Sequence, residues 1–194
     1  MPDLATSVVL LVWTVFGAVW FALARDVKSS QRVESPLSRV AHLLPLAVAC
    51  VLLFQPMPAP LRLLDQRFVE SSATVFALGA LVAATGIGFA IWARLTLGRN
   101  WSASVTQKTD HELIVGGPFR YVRHPIYTGM ITGMLGSALV IGEWRAVLAL
   151  VITFAALWRK YRLEERFMLE LFGTRYLEYR RHVPALIPVF VRHA

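Results

Sequence analysis

One cysteine, Cys50, occurs in the 194-residue chain, and it lies inside an apolar run. A lone thiol excludes a disulfide framework and any cysteine-built metal cluster within the chain. Charge is scarce at 16%, and acid is scarcer: 12 Asp and Glu face 20 Lys and Arg, for a net charge of +8. No glycine-rich turn joins a strand pattern to a helix pattern, which excludes a soluble βαβ nucleotide site. There is no internal repeat and no low-complexity stretch. The basic residues flank apolar runs instead of gathering in a domain of their own, so they imply no nucleic-acid partner.

Apolar length is what the chain has. A hydrophobic fraction of 56% and a mean hydropathy of +0.55 exceed those of a soluble domain. A helix of about 20 apolar residues crosses the hydrocarbon core. Leu4–Ala24 is the first such run; it lacks a preceding basic segment and is too long for a signal peptide, so it reads as an uncleaved helix. Val40–Phe54, holding His42 and Pro45, is shorter and spans only by tilting or by borrowing flanking residues. Ser72–Trp92 and Ile126–Ile141 follow, each with a small-residue face (Gly79, Ala83, Gly86; Gly129, Gly133, Gly136) suited to close helix contact. Trp144–Trp158 begins a fifth span whose helical pattern runs on to Phe172, with Gly173 as its stop. The expected fold is all-α: a single integral-membrane domain over 1–194 with about five transmembrane helices. Three of them lie in 1–96, and 97–194 forms the functional half.

Charge sets the orientation. With five spans, 17 of the 20 basic residues fall on one side, leaving Arg62, Arg67 and Arg145 on the other. The excess marks the cytoplasmic side, which places the C-terminus and the long polar segments there.

Those polar segments carry the chemistry. Arg94–His124 is unlike a linker, containing Asn100-Trp101-Ser102 and Asp110-His111-Glu112-Leu113-Ile114. It ends in Gly116–Gly129, which packs Phe119, Arg120, Tyr121, Arg123, His124 and Tyr127 before an apolar run. Pro125 suits the first turn of the next helix, with His124 at its cap beside unpaired N–H groups, a site for an anion. An ordinary basic juxtamembrane loop has the same composition. Lys160 and Glu164, spaced i, i+4, share a helix face on the same side of the membrane. His111 and His124 lack zinc-site spacing, so no metal is expected. His42 reads as a packing residue.

Arg123-His124-Pro125-Ile126-Tyr127, then Glu164-Glu165, then Phe172-Gly173-Thr174-Arg175-Tyr176-Leu177-Glu178-Tyr179 occur in that order. In this the chain resembles the isoprenylcysteine carboxyl methyltransferases and, more loosely, the phospholipid methyltransferases. The resemblance covers roughly Leu97–Val189. It implies S-adenosyl-L-methionine as cofactor, held by His111, Glu112, Leu113, Ile114, Phe119, His124, Pro125, Ile126, Tyr127 and Glu164, with a cofactor pocket on the cytoplasmic face. It implies Lys160 and Glu164 as the catalytic pair and a lipophilic or prenylated acceptor drawn from among membrane lipids. The family's tyrosine is Phe119 here, and its carboxylate-binding arginine is Lys160, which keeps the charge and loses the bidentate fork; Arg159 or Arg162 replaces it only if the helix is rotated. A membrane NADPH-dependent reductase of the sterol type shares a related Arg-His-Pro segment and is the rival reading. A phospholipid or thiol methyltransferase is the other.

Overall fold

Serine and proline decide where the helices begin. In the computed structural model, which describes residues 4–24, 30–33, 35–101, 106–108 and 112–188, Ser35 Oγ accepts from Ser38 N at 3.2 Å and Pro36 follows as the first helical residue. Helix α2 (Pro36–Phe54) therefore gains a turn over the apolar run and reaches 19 residues. Ser72 caps α3 (Ala73–Leu97, 25 residues) in the same way, its Oγ accepting from Val75 N at 3.2 Å. With α1 (Leu4–Leu23) these are three helices long and apolar enough to cross a membrane. Helix α4 (Pro125–Ile141) is a shorter apolar helix of 17 residues. Helix α5 (Trp144–Phe172) has 29 residues, about 44 Å of length, and turns charged after Trp158. Gly173, at φ +52°, ends it and starts α6 (Thr174–His182). Among the described residues of α1 only Val9 is buried, leaving a sheath of exposed apolar side chains that suits lipid.

The two small-residue faces meet each other. A Cβ on Gly86 would lie 2.5 Å from Gly133 N, one on Gly129 would lie 2.5 Å from Gly86 O, and one on Gly136 would collide with Ala83 N. Main chain thus touches main chain along α3 and α4, which only glycine permits.

Among the described residues, one short ribbon departs from the all-α expectation. Strands β1 (Ser30–Val33) and β2 (Thr106–Lys108) pair antiparallel, with Val33 opposite Thr106. Neither stretch carries a strand pattern in the sequence, because a pairing across so long a separation leaves no local periodicity. The ribbon joins the α1–α2 connection to the α3–α4 connection at one end of the bundle. At the other end Arg145, 7% exposed, caps α2. Its Nη1 donates to Leu52 O and Leu53 O at 2.9 Å and to Gln55 O at 3.1 Å, and its Nε pairs with Glu143 at 2.5 Å and Asp65 at 3.3 Å.

Candidate active site

The start of α4 is held from two directions. From the chain end, Arg123 N–H donates to Pro184 O at 2.9 Å, His124 N–H to Ala185 O at 3.0 Å, and Thr128 Oγ1 to Leu186 O at 2.6 Å. From α5, consecutive carboxylates grip the His124 ring. Glu164 Oε2 lies 3.5 Å from Nδ1 and Glu165 Oε1 lies 3.3 Å from Nε2. An imidazole with a carboxylate at each nitrogen donates twice, which is its protonated form. Burial opposes the charge on His124, but the hydrogen bonds and charges of Glu164 and Glu165 outweigh it and raise its pKa above the ordinary value.

Glu165 is the inner carboxylate. Arg123 donates to its Oε1 from Nη2 at 2.6 Å and from Nε at 2.8 Å, while Arg123 Nη1 is taken by Val183 O and, at 3.3 Å, by Arg180 O. Burial works against ionisation here too, yet His124 and Arg123 hold Glu165 down to about 2. Glu164 is the outer one. Tyr127 OH donates to its Oε1 at 2.5 Å. Burial is again overcome, by His124, Lys160 and Tyr127, so its pKa also falls. The His124 and Tyr127 rings stack at 5.6 Å, and Lys160 Nζ sits 5.7 Å from the Tyr127 centroid.

The sequence reading made the start of α4 an anion site. The geometry fills that role with the chain's own Glu165, so the side chains of Arg123 and His124 are already committed. Carboxylate capacity is what reaches outward instead, through Glu164, whose side chain is 24% exposed.

Glu164 faces a cavity of about 370 Å³. Lys160 lines it from α5, and His124, Pro125, Ile126 and Tyr127 line it from the start of α4. Glu112, Leu113 and Ile114 line it ahead of the turn Gly117–Arg120, which contributes the buried Phe119. His111 lies outside the described residues. Arg159, a candidate substitute for the family arginine, bonds Ser38 of α2 at 3.2 Å instead.

Half of the cavity was not foreseen. Phe16 and Trp20 of α1, Leu43 and Leu46 of α2, and Met130 of α4 supply an apolar side. Nothing distinguishes these residues within apolar runs. A second cavity, also about 370 Å³, continues deeper between the helices and shares Leu46 and Met130 with the first. Tyr176 and Tyr179 of α6 close the polar side, Tyr179 OH donating to Phe119 O at 2.6 Å. Tyr176 and Tyr179 belong to the Phe172–Tyr179 motif, which by itself does not say where its rings lie.

An integral-membrane helical bundle with a cavity polar at one end and apolar at the other is the class that fold and site define. A family model described as phospholipid methyltransferase matches residues 74–175. The chain belongs to that family, and the resemblance read from its three motifs is borne out. Protein-S-isoprenylcysteine O-methyltransferase of Schizosaccharomyces pombe is 32% identical over 103 residues, 50% of this chain and 42% of that protein. The Saccharomyces cerevisiae protein of the same name is 32% identical over 117 residues, 57% and 48%. The cobalt-zinc-cadmium resistance protein CzcN of Cupriavidus metallidurans is 30% identical over 95 residues, 48% and 44%. The chain thus spans less than half the length of these relatives. The fold resembles a eukaryotic intramembrane Ras methyltransferase, isoprenylcysteine carboxyl methyltransferase, at a TM-score of 0.56 and 20% identity, over 93% of this chain and 67% of that one.

Proposed function

We propose that the protein transfers a methyl group from S-adenosyl-L-methionine to a lipophilic acceptor at the cytoplasmic face of a membrane, with O-methylation of an isoprenylcysteine-type carboxylate the preferred reaction. The observation that carries this reading is the single cavity in which the Glu164–Tyr127–His124 cluster shares space with apolar residues of α1 and α2. A lipid-soluble acceptor enters such a space sideways from the bilayer, and a charged cofactor enters from water. The names of the relatives point the same way.

The residues fit the cofactor. It offers an ammonium, a sulfonium, a carboxylate and an aromatic base. Glu164, kept ionised by its neighbours, accepts from an ammonium or from ribose hydroxyls. Phe119 and Tyr127 line the cavity with aromatic rings, a surrounding that suits a sulfonium. When bound, the cofactor supplies an electrophilic methyl group, and the sulfur takes back the electron pair of the S–CH₃ bond. Lys160 holds a carboxylate acceptor beside that methyl group. Such a carboxylate is ionised at neutral pH, so no general base is required. Alignment of two held reactants then supplies much of the rate.

In this reading α1 to α5 all span, residues 1–194 act as one unit, and the ribbon end of the bundle is cytoplasmic. Calorimetry on the detergent-solubilised protein tests the core of it. S-adenosylhomocysteine should bind saturably and NADPH should not; the reverse result would assign the reductase chemistry instead.

A further inference from the structure

Asn100 ends the short 3₁₀ turn Gly98–Asn100 that follows α3, and its Oδ1 is buried without a hydrogen-bond partner. The backbone of the turn is held beside α3 and α1. Arg94, 1% exposed, donates Nη1 to Gly98 O at 2.9 Å and Nη2 to Leu23 O at 2.5 Å, and its guanidinium lies 4.4 Å from the Trp101 centroid. Leu97, Asn100 and Trp101 all line the cavity that Glu164 faces. A buried amide oxygen left without a donor is costly. On a residue that lines a cavity, rotation of the side-chain amide brings such an oxygen to a donor in the cavity.

The neighbours say which occupant. Trp101 meets Trp20 edge-on at 6.1 Å, and Trp20 stacks on Phe16 at 4.1 Å. This row of rings runs from Asn100 into α1, along the apolar side. The residues proposed for the cofactor come from other stretches, 112–127 and α5. Asn100 therefore stands where an apolar tail ends and a polar head begins. We propose that Asn100 is a specificity-determining residue that accepts a hydrogen bond from an N–H in the acceptor's head, next to the group that takes the methyl. This rests on the methyltransferase reading above. It selects a head combining an anion for Lys160 with an N–H for Asn100, as an amide-linked amino acid does. A plain fatty acid or alkyl thiol lacks the second feature.

Two acceptors with the same apolar tail and carboxylate provide the test, one with a secondary amide N–H and one N-methylated at that amide. Their affinity is measured by tryptophan fluorescence on protein saturated with S-adenosylhomocysteine, and their kcat/KM separately. Wild type should favour the N–H compound about tenfold, the factor expected of one hydrogen bond to a buried group. Asn100→Leu should erase the preference, Asn100→Asp should retain it, and both should bind S-adenosylhomocysteine as wild type does. Asn100→Leu removes the unpaired atom, so its thermal midpoint should not fall. The inference is overturned if wild type shows no preference, or if the preference survives in Asn100→Leu. It is equally overturned if both variants lose S-adenosylhomocysteine affinity with the preference intact, which would make Asn100 a cofactor contact. A wild type that binds no S-adenosylhomocysteine overturns the methyltransferase reading, and the role of Asn100 with it.

Discussion

Each end of the helical bundle buries an arginine among carboxylates, and the two ends use it differently. At one end Arg145 spends its donors on the carbonyls of Leu52, Leu53 and the cap residue Gln55 of α2, and on Glu143 and Asp65. Asp65 in turn accepts from Met57 N–H at 3.0 Å. Glu143 and Asp65 are 23% and 27% exposed, but the cavity that Glu143 and Arg145 line is small, about 100 Å³ against the 370 Å³ that Glu164 faces. At the other end Arg123 closes on Glu165, whose side chain is 8% exposed, and Glu165 braces His124. The next carboxylate, Glu164, is 24% exposed and looks into the cavity. A buried ion pair by itself therefore marks architecture. A carboxylate braced by such a pair, with capacity left toward a cavity, marks a site.

Breaking the architectural end should cost the most. Arg145→Ala strands two carboxylates and the terminal carbonyls of α2, a loss of about 3 kcal/mol or more in folding stability. Thermal unfolding in detergent should show it, with S-adenosylhomocysteine affinity unchanged at temperatures where the variant is folded. An equal loss of affinity would mean the ends are coupled.

Glu164→Gln inverts that pattern. It removes one charge-assisted hydrogen bond to the ligand, weakening S-adenosylhomocysteine binding by about 1.5–3 kcal/mol, while the melting temperature stays within a few degrees. Calorimetry beside a melting curve separates the two effects, and unchanged affinity would remove Glu164 from the binding set.

Gly86→Ala probes the seam that both ends share. Its Cβ would lie 2.5 Å from Gly133 N and 2.7 Å from Gly129 O, so α3 and α4 must part. Overpacking of this kind costs about 1–3 kcal/mol. Gly88→Ala, with nothing within 4 Å of the added atom, is the matched control and should be neutral.

The smallest effect is with pH. The raised pKa of His124 adds stability that is complete below its ordinary 6.5 and fades as pH rises through the folded value. The lowered pKa of Glu165 adds stability that is complete above 4.5 and fades as pH falls toward about 2. The clamp should thus be firmest between roughly pH 4.5 and 6.5. Histidine NMR should find His124 titrating above a free imidazole, and Glu165→Gln should lower that midpoint. A normal midpoint in wild type would mean that the two carboxylates do not hold the ring as drawn.

Much of this was legible in the chain, and what was legible was local. Three ends of helices were set by single residues whose effect needs no tertiary context: Ser72, Pro125 and Gly173. Pro36 is ambiguous in the sequence, since a proline ahead of an apolar run marks either a break or a helix start. The Ser35 hydroxyl decided for the start. Arg145 was counted only for its charge, because which carbonyls an arginine caps depends on helices far apart in sequence.

The sequence by itself determined that the chain is an apolar helical protein of the bilayer, which glycine faces could seat together, and which motif residues carry the family resemblance. Apolar length, glycine spacing and ordered motifs all act over a few turns or less. Only the tertiary structure decided that the glycine faces of α3 and α4 meet each other, and that a ribbon ties two loops at the site's end. It alone brought Phe16, Trp20 and Leu46 to the same cavity as Glu164. It also decided between neighbours, giving Glu165 to Arg123 and leaving Glu164 for the cavity. Adjacent helical residues point about 100° apart, and a string of letters does not say which of the two directions faces inward.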